Sequence, residues 1–190
     1  MSVEIPDKIK LLIGIFCCFI SAWLTNLILA PDPDSSKLFW IAPGLIFGFA
    51  LLVPNIAHID GLKWRVISIV SFPILMICVW VLNVFLAYTL GGVISSSFGL
   101  TVGLSFIGFY SSLMALGAFN FFYQRKIKLL NYCIVGLLGS AAFITIDRLY
   151  LTNGEGMTNH FDKLIYSWQI LVGIGISLSF RKENLEMFIK

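Results

Sequence analysis

Uncharged apolar stretches alternate with short polar segments along the whole chain. Six of these stretches have the length, about 17–25 residues, that a helix needs to cross the hydrocarbon core of a bilayer. They cover about 9–30, 38–54, 66–90, 98–123, 129–146 and 164–180. The pattern predicts an all-α fold in which six transmembrane helices form a polytopic bundle.

The composition excludes an ordinary soluble domain. Of the 190 residues, 58% are hydrophobic and only 12% are charged, whereas soluble domains carry about 25% charged residues. A water-soluble core of this length could not bury so much apolar surface, so the lipid bilayer must cover the rest. We therefore predict a single integral membrane domain over residues 1–190 with no soluble domain, in a plasma membrane or a bacterial inner membrane. The absence of a basic block argues against binding to nucleic acid.

Basic residues are concentrated in alternate connecting segments, which predicts the orientation of the bundle. Cytoplasmic loops of membrane proteins carry an excess of lysine and arginine. If the N-terminus is cytoplasmic, ten of the 13 basic residues lie on the cytoplasmic side: Lys8, Lys10, Lys63, Arg65, Arg125, Lys126, Lys128, Arg181, Lys182 and Lys190. The other three, Lys37, Arg148 and Lys163, lie outside. This distribution predicts six spans with the N- and C-termini both in the cytoplasm.

Small residues mark the helix faces through which the bundle would pack. In lipid the hydrophobic effect contributes little to helix association, so close approach through small side chains matters more. Such residues recur at helical spacing on several of the predicted spans. The predicted helix-packing positions are Gly14, Cys18, Gly44, Gly48, Gly99, Gly103, Gly108, Gly136, Ser140 and Gly173.

The fourth stretch carries small residues on two nearly opposite helix faces. At about 100° per residue, Gly99 and Gly103 share one face, whereas Gly108 and Ser112 share the other. Because both faces favour a close neighbour, we expect this helix to be the central one of the bundle. The alternative is that glycine and serine are simply common in membrane helices.

The predicted hydrocarbon core contains no acidic or basic side chain, which argues against a proton- or sodium-coupled pump with a carboxylate relay. Uncharged polar groups are instead biased toward the outer half. The candidate ligand-binding residues are Asn26, Asn83, Asp147, Asp162, Tyr166 and Gln169. If these residues converge, they form a polar pocket open to the outside. The alternative is that the amides only join helices, at about 0.6–2 kcal/mol for each hydrogen bond.

We find no motif that indicates catalysis, a metal site or a cofactor. The two histidines, His58 and His160, fall on opposite sides of the predicted membrane and cannot share an ion. The four cysteines lie within apolar stretches, where a thiol behaves as a small hydrophobic group. The sequence therefore predicts a protein that is not an enzyme and that holds no metal or cofactor.

Two classes of function remain. In the first, the protein binds or transports a small molecule through the outer-half pocket, as an uptake subunit or a channel. Its size, six predicted spans and short loops resemble the substrate-binding membrane subunits of energy-coupling-factor vitamin transporters, in architecture only. In the second, it is a non-catalytic membrane subunit, scaffold or effector whose helices contact a partner membrane subunit or a second copy of the chain.

Overall fold

A computed structural model describes residues 7–29, 37–59, 61–93, 97–123, 127–150 and 161–179. Within these ranges the chain forms six α-helices and no strand, which confirms the all-α prediction. The helices are α1 (Asp7–Leu29), α2 (Ala42–Leu52), α3 (Leu62–Val93), α4 (Ser97–Tyr123), α5 (Leu129–Tyr150) and α6 (Phe161–Ser179). Two 3₁₀-helices, Lys37–Trp40 and Val53–His58, flank α2.

Four of the helices contain segments long and apolar enough to cross a membrane. These segments are Lys8–Ile28, Leu62–Leu86, Val102–Tyr123 and Leu129–Ile146. The apolar segments Ala42–Ile56 and Lys163–Ser179, on the remaining two predicted spans, are shorter. Helix α2 itself has 11 residues, which at 1.5 Å per residue is about 16 Å, or roughly half of a hydrocarbon core. These lengths are compatible with a membrane protein.

The helices are arranged as a closed ring in chain order. Each helix packs mainly against the helices that precede and follow it, and α6 returns to pack along α1. The expectation that the fourth helix is central is therefore wrong, because α3 and α5 are its main neighbours. The most enclosed helix is α2, of which eight of the 11 residues are buried. Its sequence is apolar on every side, so it has no polar face to turn outward.

Aromatic and aliphatic side chains fill the ring. Phe72 on α3 makes edge-on ring contacts with Phe119 and Phe122 on α4, at centroid distances of 5.7 and 5.5 Å. Phe47 on α2 packs against Trp168 on α6 at 5.3 Å. The outside is also apolar: Phe16, for example, is 63% exposed. A bundle that is apolar both inside and outside fits a lipid environment better than water.

Small residues let neighbouring helices approach backbone to backbone. A Cβ atom placed on Gly44 would lie 2.6 Å from the carbonyl oxygen of Met76, and one on Gly48 would lie 2.9 Å from the Cα of Pro73. At these two glycines α2 packs directly against the backbone of α3. Between α4 and α5, a Cβ atom on Gly108 would lie 2.5 Å from the carbonyl oxygen of Gly139.

The other predicted packing positions lie at similar contacts where their surroundings are described. Gly14 faces Ser177, and Cys18 lies directly against Gly173, which joins α1 to α6. Gly136 faces the ring of Phe109, the Ser140 hydroxyl donates a hydrogen bond of 2.7 Å to the Ser105 carbonyl, and Gly103 is buried on α4. Gly99 lies in α4, but its surroundings are outside the described side chains.

Candidate functional site

The Gln169 side chain is hydrogen-bonded to two other helices. Its Oε1 atom accepts hydrogen bonds from the hydroxyls of Ser21 (3.2 Å) and Thr25 (3.3 Å), both on α1. Its Nε2 atom donates to the Thr25 hydroxyl (3.3 Å) and to the carbonyl of Pro43 at the start of α2 (3.1 Å). An amide has two donor hydrogens and two acceptor positions, so these contacts account for all of them.

Pro43 can accept this bond through its carbonyl oxygen, which has two acceptor positions. It lies in the first turn of α2, where a missing N–H costs no helical hydrogen bond. Gln169 is only 1% exposed, as are Ser21 and Thr25. The cluster therefore ties the first, second and sixth helices together.

A second polar feature is a small cavity. It lies between α3, α4, α5 and α6, and about 20 Å³ of it is open to the centre of a water-sized sphere. It is lined by Trp80, Asn83, Val84, Ile107, Ser111, Phe143, Leu164, Ile165 and Trp168. Its wall is mainly apolar, and the lining residues include no acid, base, cysteine or tyrosine.

Asn83 lines the cavity and has a side-chain oxygen that lacks a partner. The residue is 6% exposed, and its Oδ1 atom is buried with no hydrogen-bond partner. A buried acceptor left unsatisfied costs about 1–3 kcal/mol. The other polar side chains of the wall are engaged: the Ser111 hydroxyl donates to the Gly108 carbonyl at 3.1 Å, and the Trp168 indole is hydrogen-bonded as well.

Trp168 connects the cavity to the α4–α5 contact. Its indole N–H donates to the Ser112 hydroxyl at 3.1 Å, and that hydroxyl donates to the Gly108 carbonyl at 2.6 Å. Gly108 is the residue that lies against Gly139. Trp168 is thus hydrogen-bonded to the segment of α4 that packs against α5.

The predicted ligand-binding residues do not converge on one pocket within the described side chains. Asn83 lines the cavity, whereas Gln169 is not among the lining residues. Asn26 on α1 has a buried Oδ1 atom with no hydrogen-bond partner, and Tyr166 is half-buried on α6. Asp147 and Asp162 belong to α5 and α6, but their side chains lie outside the described ones.

Sequence reasoning missed most of the cavity wall. Trp80, Ser111 and Trp168 of the wall are all buried, as is Ser112, which bonds to Trp168. None of these residues belongs to a motif. The adjacent serines in the middle of an apolar helix were the available signal, since neighbouring hydroxyls in a span need hydrogen-bond acceptors. Among the described residues, no three His, Cys, Asp or Glu side chains are grouped as a metal site would require.

In the part that the structure describes, the chain is all-helical, and four of its helices are long and apolar enough to span a membrane. Comparison with protein families, with curated proteins and with solved structures finds no match.

Proposed function

We propose that this chain is a six-span integral membrane protein with both termini in the cytoplasm, in a plasma membrane or a bacterial inner membrane. Four helices of sufficient length support this proposal, as does the excess of basic residues in the segments assigned to the inside. The two shorter helices are explained by their burial: α2 lies largely within the bundle and need not match the lipid thickness by itself.

The protein binds a small uncharged molecule in the cavity between α3, α4, α5 and α6, and serves its uptake or passage. The observation that carries this proposal is Asn83, which lines the cavity and whose Oδ1 atom is buried without a hydrogen-bond partner. In the same bundle, Gln169 has all its hydrogen bonds made within the protein. A ligand with an N–H or O–H group would satisfy Asn83 as protein atoms satisfy Gln169.

The chemistry of the wall argues for binding over catalysis. Among the lining residues that the structure describes, none can act as a general acid or base, and none places a histidine or carboxylate beside the Ser111 hydroxyl. None of the described lining residues carries a charge that could balance a charged ligand, which favours an uncharged one.

Thermal unfolding of the purified protein with a collection of small uncharged molecules tests the proposal. A binding molecule raises the unfolding temperature by mass action, and Asn83→Leu should abolish the rise. The control is Asn120→Leu on α4, at an asparagine that also has a buried Oδ1 atom without a partner but does not line the cavity. This change also removes a hydrogen bond of 3.3 Å to the Tyr132 hydroxyl. If Asn83→Leu leaves the stabilisation by every active molecule intact, the cavity is not the binding site.

A specific observation favours the second class of function, a subunit that contacts another chain. Phe106 and Tyr110 on α4 stack with nearly parallel rings, 6° between planes, and are 62% and 40% exposed. Tyr110 lies midway along α4, so its hydroxyl would face hydrocarbon, where a hydrogen-bond partner is needed. A neighbouring chain could supply that partner. Cross-linking in membranes through Tyr110→Cys tests this alternative, with Leu137→Cys on the exposed face of α5 as its control.

A further inference from the structure

Three side chains on one side of α4 are exposed on the surface of the bundle. Val102, Phe106 and Tyr110 are 54%, 62% and 40% exposed, and their spacing of four residues places them on the same helix face. The rings of Phe106 and Tyr110 are stacked, with their centroids 6.3 Å apart. These three residues, here called the Tyr110 face, form a mostly apolar surface that carries one hydroxyl.

The depth of Tyr110 distinguishes it from a tyrosine at a membrane surface. At a rise of 1.5 Å per residue, it lies about 12 Å from Val102 and about 20 Å from Tyr123, the two ends of the apolar segment of α4. Tyrosines that anchor transmembrane helices lie at the level of the lipid headgroups. In the six-span arrangement proposed for the chain, the Tyr110 hydroxyl instead lies within the hydrocarbon, where no water is present to bond it.

The Tyr110 hydroxyl needs a hydrogen-bond partner from outside the chain. Its ring stacks on Phe106, but the hydroxyl makes no hydrogen bond to the residues that the structure describes. A phenol can both donate and accept a hydrogen bond, whereas lipid acyl chains can do neither. The missing partner is therefore a polar group of another molecule at the same depth in the membrane.

A second copy of the chain supplies such a group. Copies that share one orientation in the membrane hold Tyr110 at the same depth. In a two-fold dimer the same surface patch is used on both copies, and a residue on the axis meets its own equivalent. Because a hydroxyl both donates and accepts, it is complementary to an identical hydroxyl, which two carboxylates or two ammonium groups would not be.

We infer that two copies of the chain pair in parallel through the Tyr110 face, about a two-fold axis along the membrane normal, with one Tyr110 hydroxyl donating to the other. Phe106 and Val102 pack around this hydroxyl pair and separate it from lipid. The inference rests on the second function proposed for the chain, contact with another chain, and it names the partner. It is compatible with the Asn83 cavity, because Ile107 and Ser111 line that cavity from a different face of α4.

Single-molecule photobleaching tests the inference on the full chain, labelled at its C-terminus and diluted stepwise in liposomes. We expect a dimer population that decreases with dilution. Tyr110→Phe keeps the ring that stacks on Phe106 but removes the hydroxyl, and the loss of one hydrogen bond between membrane helices should weaken dimerisation about 3- to 20-fold. Tyr166→Phe removes a hydroxyl from α6, at a half-buried side chain, and should leave dimerisation unchanged.

Cross-linking identifies the face that the dimer uses while leaving Tyr110 intact. Val102→Cys, on the Tyr110 face, should give a dimer with a membrane-permeant bismaleimide. Leu137→Cys, 62% exposed before substitution and on α5, should give no more dimer than the wild-type chain, whose four native cysteines supply the background.

The possible outcomes separate this inference from the function on which it rests. The inference is wrong if the chain is monomeric at every density, or if a dimer forms that neither responds to Tyr110→Phe nor cross-links through Val102→Cys. If Val102→Cys cross-links in native membranes to one defined protein other than this chain, contact with another chain is supported but the second copy is overturned as the partner. If neither a dimer nor such a cross-link forms, both fail.

Discussion

The hydroxyl of Ser21 donates a hydrogen bond of 3.2 Å to the Oε1 atom of Gln169, across 148 residues of chain. The bond joins the first helix to the last and so closes the ring of six. Thr25, one turn further along α1, bonds to the same amide. A side-chain hydrogen bond between membrane helices contributes about 0.6 kcal/mol to stability on average and up to about 1.7. The Gln169 side chain therefore stabilises the ring because it makes several such bonds, not because any one of them is strong.

Replacing Gln169 by leucine should destabilise the protein by about 1–3 kcal/mol, since the change leaves Ser21, Thr25 and the Pro43 carbonyl buried without their partner. The free energy of unfolding in mixed micelles, followed by circular dichroism, measures the effect. Thr25→Val should cost part of this amount.

The control for Thr25→Val is Thr89→Val. The Thr89 hydroxyl is exposed and bonds only to carbonyls of its own helix, those of Phe85 and Leu86. Its loss should change the stability by less than about 0.5 kcal/mol. Equal losses from the two threonine variants would show that the bonds to Gln169 are not important for the closure of the ring.

The α4–α5 contact leads to a second prediction. Gly139→Ala would place a methyl group against the Ser112 side chain and the Gly108 carbonyl. One of these contacts is with the backbone, so the helices must separate, and we expect a loss of about 1–3 kcal/mol. Thermal unfolding measures the change.

Gly117→Ala on α4 is a matched control, because it makes the same substitution at a helical glycine with open space around it. A Cβ atom there would meet nothing within 4 Å, and alanine is a better helix former than glycine by about 0.5–1 kcal/mol. The variant should be neutral or slightly more stable. If Gly139→Ala is equally well tolerated, the close approach of α4 and α5 is not required for stability.

Much of the helical fold follows from the apolar pattern, because each long apolar stretch can satisfy its own backbone only as a helix in lipid. The predicted stretch 129–146 overlaps nearly all of α5, which is Leu129–Tyr150. The second stretch was predicted at 38–54, but the structure divides it into a 3₁₀ turn, a short α-helix and part of a second 3₁₀-helix. Pro43 and Pro54 stand at the starts of the last two elements, where proline is accepted.

The neighbours of each helix were harder to predict. Small residues on two faces of α4 indicate two close neighbours, which both a central helix and a member of a ring possess. Asn83 and Gln169 likewise look equivalent as single amides in apolar helices. Their difference depends on side chains from distant parts of the chain: Gln169 meets Ser21 and Thr25, whereas the Oδ1 atom of Asn83 meets no donor.

This difference leads to a third prediction. In the absence of any ligand, Asn83→Leu should leave the stability unchanged or raise it by about 1–2 kcal/mol, because it removes an unsatisfied acceptor and adds apolar volume beside the cavity. Gln169→Leu replaces a fully bonded amide and should instead lower the stability. The free energies of unfolding of the two variants, measured under identical conditions, give the comparison. A large loss of stability in Asn83→Leu would mean that the Asn83 amide is already satisfied in the membrane.

The predicted orientation can be tested by the reaction of introduced cysteines with a maleimide that does not cross membranes. Asn153→Cys, in the connection between α5 and α6, should react in intact cells. Ile127→Cys, beside the basic segment between α4 and α5, should react only after the membrane is permeabilised, because the predicted orientation puts that segment on the cytoplasmic side. The wild-type chain supplies the background from the four native cysteines. Reaction of Ile127→Cys from outside intact cells would reverse the orientation, and the outer position of the Asn83 cavity would be reversed with it.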